Sequence, residues 1–156
     1  SNVGDRAANI YHATSHVARL GTLLAVSSLY ESEPMYDTEQ PAFLNSALLL
    51  KSNVEQQTLL DALQEIEAEL GRRRDPSRPK GPRRIDIDIL LYGERVVSTP
   101  TLTLPHPGLR ERAFVLEPLL EIAPDLADPR DGTPLWEVLN GVDSRGVYLY
   151  SDKPLY

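Results

Sequence analysis

Cysteine is absent from the 156 residues. That removes disulfides, thiolate metal sites and cysteine nucleophiles together. No apolar run approaches the ~20 residues a membrane-spanning helix needs, and the first residues show no signal-peptide pattern. The Gly-rich phosphate loops GxxxxGK[ST] and GxGxxG are missing, as is the nucleophile elbow GxSxG. Neither a P-loop, a Rossmann dinucleotide site nor an α/β-hydrolase serine is therefore supported. Basic residues are also in the minority: 16 against 23 acidic ones, for a net charge of −7 and a pI near 4.9. An acidic surface repels nucleic acid and anionic membrane, so neither is expected as a partner. What is present, 41% hydrophobic and 25% charged residues, is ordinary globular usage with enough apolar material for one core. Length and composition predict one soluble intracellular domain.

The acidic average has one exception. Between Arg72 and Arg84 lie six arginines (Arg72, Arg73, Arg74, Arg78, Arg83, Arg84) and Lys80 against a single acid, Asp75. That is net +6 in thirteen residues, and it leaves −13 for the rest. A short cationic loop on an acidic body points to a small polyanion rather than to a long nucleic acid.

Periodicity sets the elements. Ala7, Ile10, Tyr11, Thr14, Val17 and Leu20 predict a helix over 5–21 that Gly21 ends. Residues 23–31 and 43–51 read as strands, although Ala47–Lys51 alone also suits a helix. Residues 33–41, with two prolines, read as a loop. Asn53 and Gln56 resemble a capping box ahead of a helix whose stripe is Leu59, Leu63, Ile66 and Leu70, closed by Gly71. Pro76, Pro79 and Pro82 break the basic loop. Arg84–Tyr92 is the clearest strand signal, with Gly93-Glu94 turning it into a hairpin return over 95–98. Leu102–Leu104 is a short extended piece. A helix is expected over 110–122, shortened or kinked by Pro118, then a helical turn at 135–139 and a strand at 147–150. Few helices and hairpin connections predict an α+β fold with a mostly antiparallel sheet.

The chemistry concentrates in Ile85-Asp86-Ile87-Asp88-Ile89. Alternate strand residues share a face, so the isoleucines point one way and both carboxylates the other, roughly 6.6 Å apart along the strand. Such alternation is also how a solvated acidic strand face reads. The arginines just upstream favour more: like charges on one face are costly without a cation, arginine suits phosphate, and phosphoryl transfer wants metal and cationic side chains together. Oxygen-only ligands favour Mg²⁺, and two ions at ~3.5–4 Å separation fit such a pair. His106, held between Pro105 and Pro107, is placed to donate to phosphate or to serve as a turn residue. His12 and His16, at i and i+4, lack a third ligand and read as surface. Phe43 and Phe114, the only phenylalanines, fit a core or a stacked heterocycle.

Several segments in order resemble the 6-hydroxymethyl-7,8-dihydropterin pyrophosphokinase family of folate biosynthesis. They are Ser1-Asn2 with Gly4-Asp5, Tyr30–Pro34, Gln40–Asn45, Gln64–Glu67, Leu70-Gly-Arg72 with Arg74, Gly81–Asp88, Leu104-Pro-His106, and Arg112–Phe114 with Pro118-Leu119. Gly81-Pro-Arg-Arg-Ile-Asp-Ile-Asp88 is the most specific. The resemblance implies transfer of pyrophosphate from ATP to the pterin hydroxymethyl group, releasing AMP. It implies two Mg²⁺ ions on Asp86 and Asp88. Arg72, Arg83, His106 and Arg112 would act on the phosphates. Phe43, Asn45, Phe114, Ser32 and Met35 would hold the pterin, and Gln64, Glu67, Arg74, Ile89 and Thr103 the nucleotide. It further implies a ferredoxin-like sandwich with helices on both faces of the sheet. Family members open with a strand ending Gly-Ser-Asn, and this chain opens at Ser-Asn. The expectation is a single pyrophosphokinase domain over 1–156 without its first strand, an incomplete piece or a part of a fused folate enzyme. Neighbouring folate enzymes are then the expected partners. The expected location is the cytoplasm, or mitochondria if a targeting peptide precedes Ser1. Lys80 and Pro107 stand where some members have tryptophan and tyrosine. A non-catalytic or differently specific Mg-dependent phosphotransferase domain is the alternative.

Overall fold

The structure is a computed structural model that describes residues 1–34, 39–71 and 84–151. Met35, Arg72, Arg74 and Arg83, with the basic loop as far as Arg83, lie outside the described residues.

Helix α1 (Arg6–Val17) starts where the Asp5 carboxylate accepts the Ala8 amide, 3.1 Å, an N-cap that satisfies one of the orphan donors. It buries Ile10, Ala13, Thr14 and Val17. The expected end at Gly21 is reached through a 3₁₀ turn, Ala18–Leu20. A Cβ on Gly21 would lie 2.2 Å from the Lys51 carbonyl oxygen, so close backbone approach demands glycine there. His12 is exposed, and His16 Nδ1 sits 3.8 Å from Glu69 on the next helix.

Each of the first two expected strands is split. Strands β1 (Thr22–Val26) and β2 (Leu29–Ser32) face β3 (Phe43–Asn45) and β4 (Leu48–Lys51), with β1 antiparallel to β4 and β2 to β3. The break at Ser27-Ser28 has its cause in side-chain hydrogen bonds. The Ser27 hydroxyl accepts the Ala47 amide (2.8 Å) and donates to the Ser28 carbonyl (2.7 Å). The Ser28 amide donates to Glu121 at 2.6 Å. Backbone groups that side chains satisfy drop out of the ladder. Helix α2 (Gln56–Glu69) buries Leu59, Leu63, Ile66 and Glu67. Its cap is Glu55, whose carboxylate accepts the Gln57 and Thr58 amides, not the expected Asn53–Gln56 box.

The largest departure is residues 85–92, which form no strand among the described residues. Burial still alternates: Ile85 is buried, Ile87 and Ile89 are half-buried, and Asp86 and Asp88 are exposed. Alternation reports one buried face, not a ladder, and here the backbone is tied elsewhere. The Ile87 amide donates to the Glu67 carboxylate (2.9 Å), the Leu90 carbonyl accepts from the His106 amide (2.9 Å), and the Tyr92 hydroxyl donates to the Val54 carbonyl. The turn at Gly93-Glu94 forms (φ +56° at Gly93). The strand after it, β5 (Val97–Ser98), pairs with β6 (Thr103–Leu104) and not with 85–92.

Helix α3 (Ala113–Ile122) begins three residues later than expected and runs through Pro118 without ending. Helix α4 (Leu135–Asn140) follows, and β7 (Val147–Ser151) adds antiparallel to β2, giving the order β3-β2-β7. The result is an α+β fold of small antiparallel ladders and four helices among the described residues. The core has three parts. Ile85 joins Ile10, Ala13, Leu29 and Leu44; Ile87 and Ile89 pack on Val17, Leu59, Leu63 and Ile66; and Leu109, Leu116, Leu119 and Leu135 lock α3 to α4.

The connection between α3 and α4 is held by Asp128, whose side chain is fully buried. It accepts from the Arg130 amide (2.9 Å), the Arg130 guanidinium (2.6 Å) and Arg110 (3.3 Å). Arg130 holds the Asp128 carboxyl below the usual carboxylate range, against burial, which pushes it up. The Thr133 amide and Arg110 hold Asp131 down to about 2. Carboxyls depressed in the folded state stabilise it above their unfolded values near 3.9, and that contribution is lost as pH falls towards 2. An acid titration followed by circular dichroism is expected to show stability falling below about pH 4. Asp128→Ala is expected to flatten that slope and to cost roughly 2–3 kcal/mol at pH 7 in chemical denaturation.

Candidate active site

The two aspartates are carried by a segment fixed from below. Isoleucines 85, 87 and 89 sink into the core, which leaves Asp86 and Asp88 on the opposite, exposed side. Glu67 is 6% exposed. A buried carboxylate is costly unless hydrogen-bonded, and the Ile87 amide, between the two aspartates, gives it one bond. Glu67, read from the motif as a nucleotide-side residue, is thus also the support of the acidic segment.

His106 meets that segment twice. Its amide donates to Leu90, and its Nε2 lies 3.7 Å from Asp88 Oδ2. The Gly108 amide donates to His106 Nδ1 at 2.9 Å. Nδ1 is therefore an acceptor, and the ring proton of the neutral form resides on Nε2, facing Asp88. Arg112 follows, half-buried at the N-cap of α3, with its guanidinium over the Phe114 ring at 5.9 Å. A cation at a helix N-terminus gains nothing from the helix dipole, so the dipole does not explain its place.

Phe114 opens onto a cleft of about 270 Å³, lined by Ser32, Glu33, Glu111, Ala113, Phe114 and the 143–147 segment. Beside it, Ser32 pairs across the ladder with Phe43, and Tyr30 with Asn45. Directly opposed residues share a face, and Asn45 Nδ2 donates to Ser32 Oγ at 2.8 Å. The motif residues at the start of the chain brace this hairpin. The Leu44 amide donates to the Ser1 carbonyl (2.7 Å), the Ser1 amine donates to the Leu44 carbonyl, and Asn2 donates to Gln40 and to the Pro41 carbonyl.

Contacts therefore run from Asp88 through His106, Gly108 and Arg112 to Phe114, whose cleft reaches Ser32. The remaining nucleotide-side candidates are dispersed. Gln64 on α2 and Thr103 on β6 are exposed, while Ile89 packs into the α1–α2 core. Sequence reading missed the cleft wall at Asp143, Arg145 and Gly146, a tail with no motif; its one signal is a glycine, which here has φ +81°. Arg145 folds back onto Asp143 at 2.8 Å and brings its carboxyl to about 2.

The description of the family whose model matches residues 1–124 is 7,8-dihydro-6-hydroxymethylpterin-pyrophosphokinase. The chain belongs to this family. It is 44% identical over 149 residues to a Methylorubrum extorquens protein named 2-amino-4-hydroxy-6-hydroxymethyldihydropteridine pyrophosphokinase, covering 94% of this chain and 92% of that one. The folic acid synthesis protein fol1 of Schizosaccharomyces pombe is 45% identical over 153 residues, 97% of this chain but 21% of that protein. The mitochondrial folate synthesis bifunctional protein of Pisum sativum is 41% identical over 142 residues, 90% of this chain and 27% of its own length. The chain thus spans about a fifth to a quarter of these two longer relatives. The family assignment read from the Gly81–Asp88 motif and its companions is borne out.

Among the described residues, no group of three or more Asp, Glu, His or Cys forms a ready-made metal cage, and no helix is long and apolar enough to cross a membrane. Two exposed carboxylates still fit Mg²⁺, which commonly takes one or two protein carboxylates and completes its shell with water and phosphate oxygens. Loss of the support beneath them is measurable: Glu67→Ala is expected to lower unfolding free energy by about 2 kcal/mol, and Glu67→Gln, which keeps an acceptor, by less. Urea denaturation of both variants checks this.

Proposed function

We propose that this chain transfers a pyrophosphoryl group from ATP to the hydroxymethyl oxygen of 6-hydroxymethyl-7,8-dihydropterin, giving AMP and the pterin diphosphate. The observation that carries the reading is the contact path from Asp88 and His106 to the Phe114 cleft, which puts a phosphate-type end and a ring-binding end within one short stretch of chain. The new bond joins the pterin oxygen to the β-phosphorus. The bond from that phosphorus to the α,β-bridging oxygen breaks, AMP leaves with the oxygen, and the hydroxyl proton is released.

Asp86 and Asp88 would hold two Mg²⁺ ions, which when bound supply neutralisation of phosphate charge. His106 offers its Nε2 proton to a phosphate oxygen. Arg112 adds a cation between the two ends. Arg72, Arg74 and Arg83 bring the charge of the basic loop to the triphosphate. Phe43 and Phe114 flank the pterin ring, and Asn45, Ser32 and Met35 read its polar edge. Gln64, Glu67, Ile89 and Thr103 line the nucleotide side. With a neutral alcohol as acceptor, in-line positioning does most of the work and no strong protein base is needed.

The same reading carries a ferredoxin-like sandwich as the architecture and a single pyrophosphokinase domain over 1–156. The fungal and pea relatives, several times longer than this chain, support its working beside other folate enzymes, and the pea protein's name supports mitochondria as one location.

Incubation with MgATP and the hydroxymethyl-dihydropterin is expected to yield AMP; ADP as the product would overturn the reading. Asp88→Ala is expected to reduce AMP release by roughly a thousandfold or more, the loss of about 4 kcal/mol of transition-state stabilisation. Near-normal turnover would count against the metal role.

A further inference from the structure

Gly108 lies in the turn between His106 and α3, and it touches both. It is buried, and its backbone is not in the left-handed region. Conformation therefore does not require glycine here. Space does. A Cβ at this position would lie 2.6 Å from Arg112 Nε, 2.7 Å from Cζ and 3.0 Å from Cδ. Those atoms are the far end of a flexible side chain, so the clash would be relieved by moving Arg112 rather than the fold. The other contact is through the backbone: the Gly108 amide donates to His106 Nδ1 at 2.9 Å, and the Gly108 carbonyl accepts from the Glu111 amide at 3.2 Å. Neither bond needs a particular side chain.

We propose that Gly108 is a positioning residue for pyrophosphoryl transfer, its bare Cα being the seat on which the Arg112 guanidinium rests and its N–H being what turns His106 Nε2 towards Asp88. One residue thereby sets the relative placement of an imidazole and a guanidinium six residues apart in the same stretch of chain. Arg112 rests on Gly108 on one side and lies over the Phe114 ring on the other, so any side chain at 108 pushes the cation off its place between the two ends of the site. A displacement of about 1 Å at a group that orients reacting phosphates is enough to cost tenfold or more in rate. The functional part of this inference rests on the pyrophosphokinase reading; the geometric part does not.

The test compares Gly108→Ala, Arg112→Ala and the double variant with the wild type. Gly108→Ala is expected to keep its melting temperature within about 3 °C, a shift that corresponds to less than ~1 kcal/mol. Its kcat for AMP release is expected to fall about tenfold, with the KM for the pterin changed less than twofold. In the Arg112→Ala background the same substitution is expected to cost nothing further, because the group it displaces is gone. Full activity in Gly108→Ala, a loss that simply multiplies in the double variant, or a melting temperature lowered by more than about 5 °C would each overturn the proposal, the last by making the role structural. Nitrogen NMR gives a readout independent of turnover. The Arg112 Nε–H signal is expected to shift in Gly108→Ala, while His106 keeps its proton on Nε2; an unmoved Arg112 signal would overturn the proposal whatever the kinetics. Wild-type protein that fails to release AMP would sink the proposed function instead, leaving the NMR result to decide the geometry.

Discussion

The hydrogen bond from the Ile87 amide to the buried Glu67 carboxylate decides where the acidic segment can be. Among the described residues no neighbouring strand holds 85–92, so its position is set by three tethers on other elements: Glu67, the His106 amide on Leu90, and Tyr92 on Val54. Burial of three isoleucines adds on the order of 1.5–3 kcal/mol each at full burial, and it fixes which way the aspartates face. Helix α2 is therefore the ruler for the acidic pair. Because Glu67 sits on the same helix as the Leu59–Leu63–Ile66 stripe, the packing that holds α2 in the core also sets the height of Asp86 and Asp88.

Charge is sorted along the same line. The body is acidic, and the cleft beside Phe114 carries Glu33 and Glu111, while its one arginine, Arg145, is engaged by Asp143. Such a cleft disfavours an anion and suits a neutral ring bearing N–H donors. The excess positive charge is concentrated, in the sequence, between Arg72 and Arg84. One net charge of −7 thus averages an acidic chain and one basic stretch of sequence, and the two substrates of the proposed reaction, a neutral heterocycle and a polyanion, differ in the same way.

Local patterns were legible in the sequence wherever local forces decide. The Leu59, Leu63 and Ile66 stripe, the turn at Gly93 and the closing strand at 147–150 all follow from short-range periodicity or turn chemistry. The breaks at Ser27-Ser28 were not, because they arise from Ala47 and Glu121, distant in sequence. Glu55 displaced Asn53 as the cap of α2, since two candidate capping side chains stand two residues apart and the helix starts at Gln56. Ile85–Ile89 read as a strand for a sound reason, alternation, which records one-sided burial but is silent on what the backbone pairs with. At the site, Asp86, Asp88, His106 and Arg112 stand in short motifs and could be named in advance. Gly108 could not, because a glycine needed for space looks like any other until its neighbours are in place.

That difference bears on how the two ends of the site communicate. The stretch from Leu104 to Phe114 is pinned at one end by the His106 amide on Leu90 and at the other by Leu109 and Leu116, both fully buried against α4. Between these pins the side chains that face the cleft and the acidic pair have little independent freedom. His106 is oriented by Gly108, Arg112 rests on Gly108, and Phe114 lies under Arg112. An error at one of them becomes an error at the next. Rigid linkage of this kind suits transfer between two bound molecules, where the attacking oxygen and the phosphorus must be brought to near-contact distance and alignment costs entropy unless it is built in beforehand. On the proposed function, the buried leucines of α3 and α4 would serve the chemistry as well as stability, because they hold the far pin of the segment that carries His106, Arg112 and Phe114.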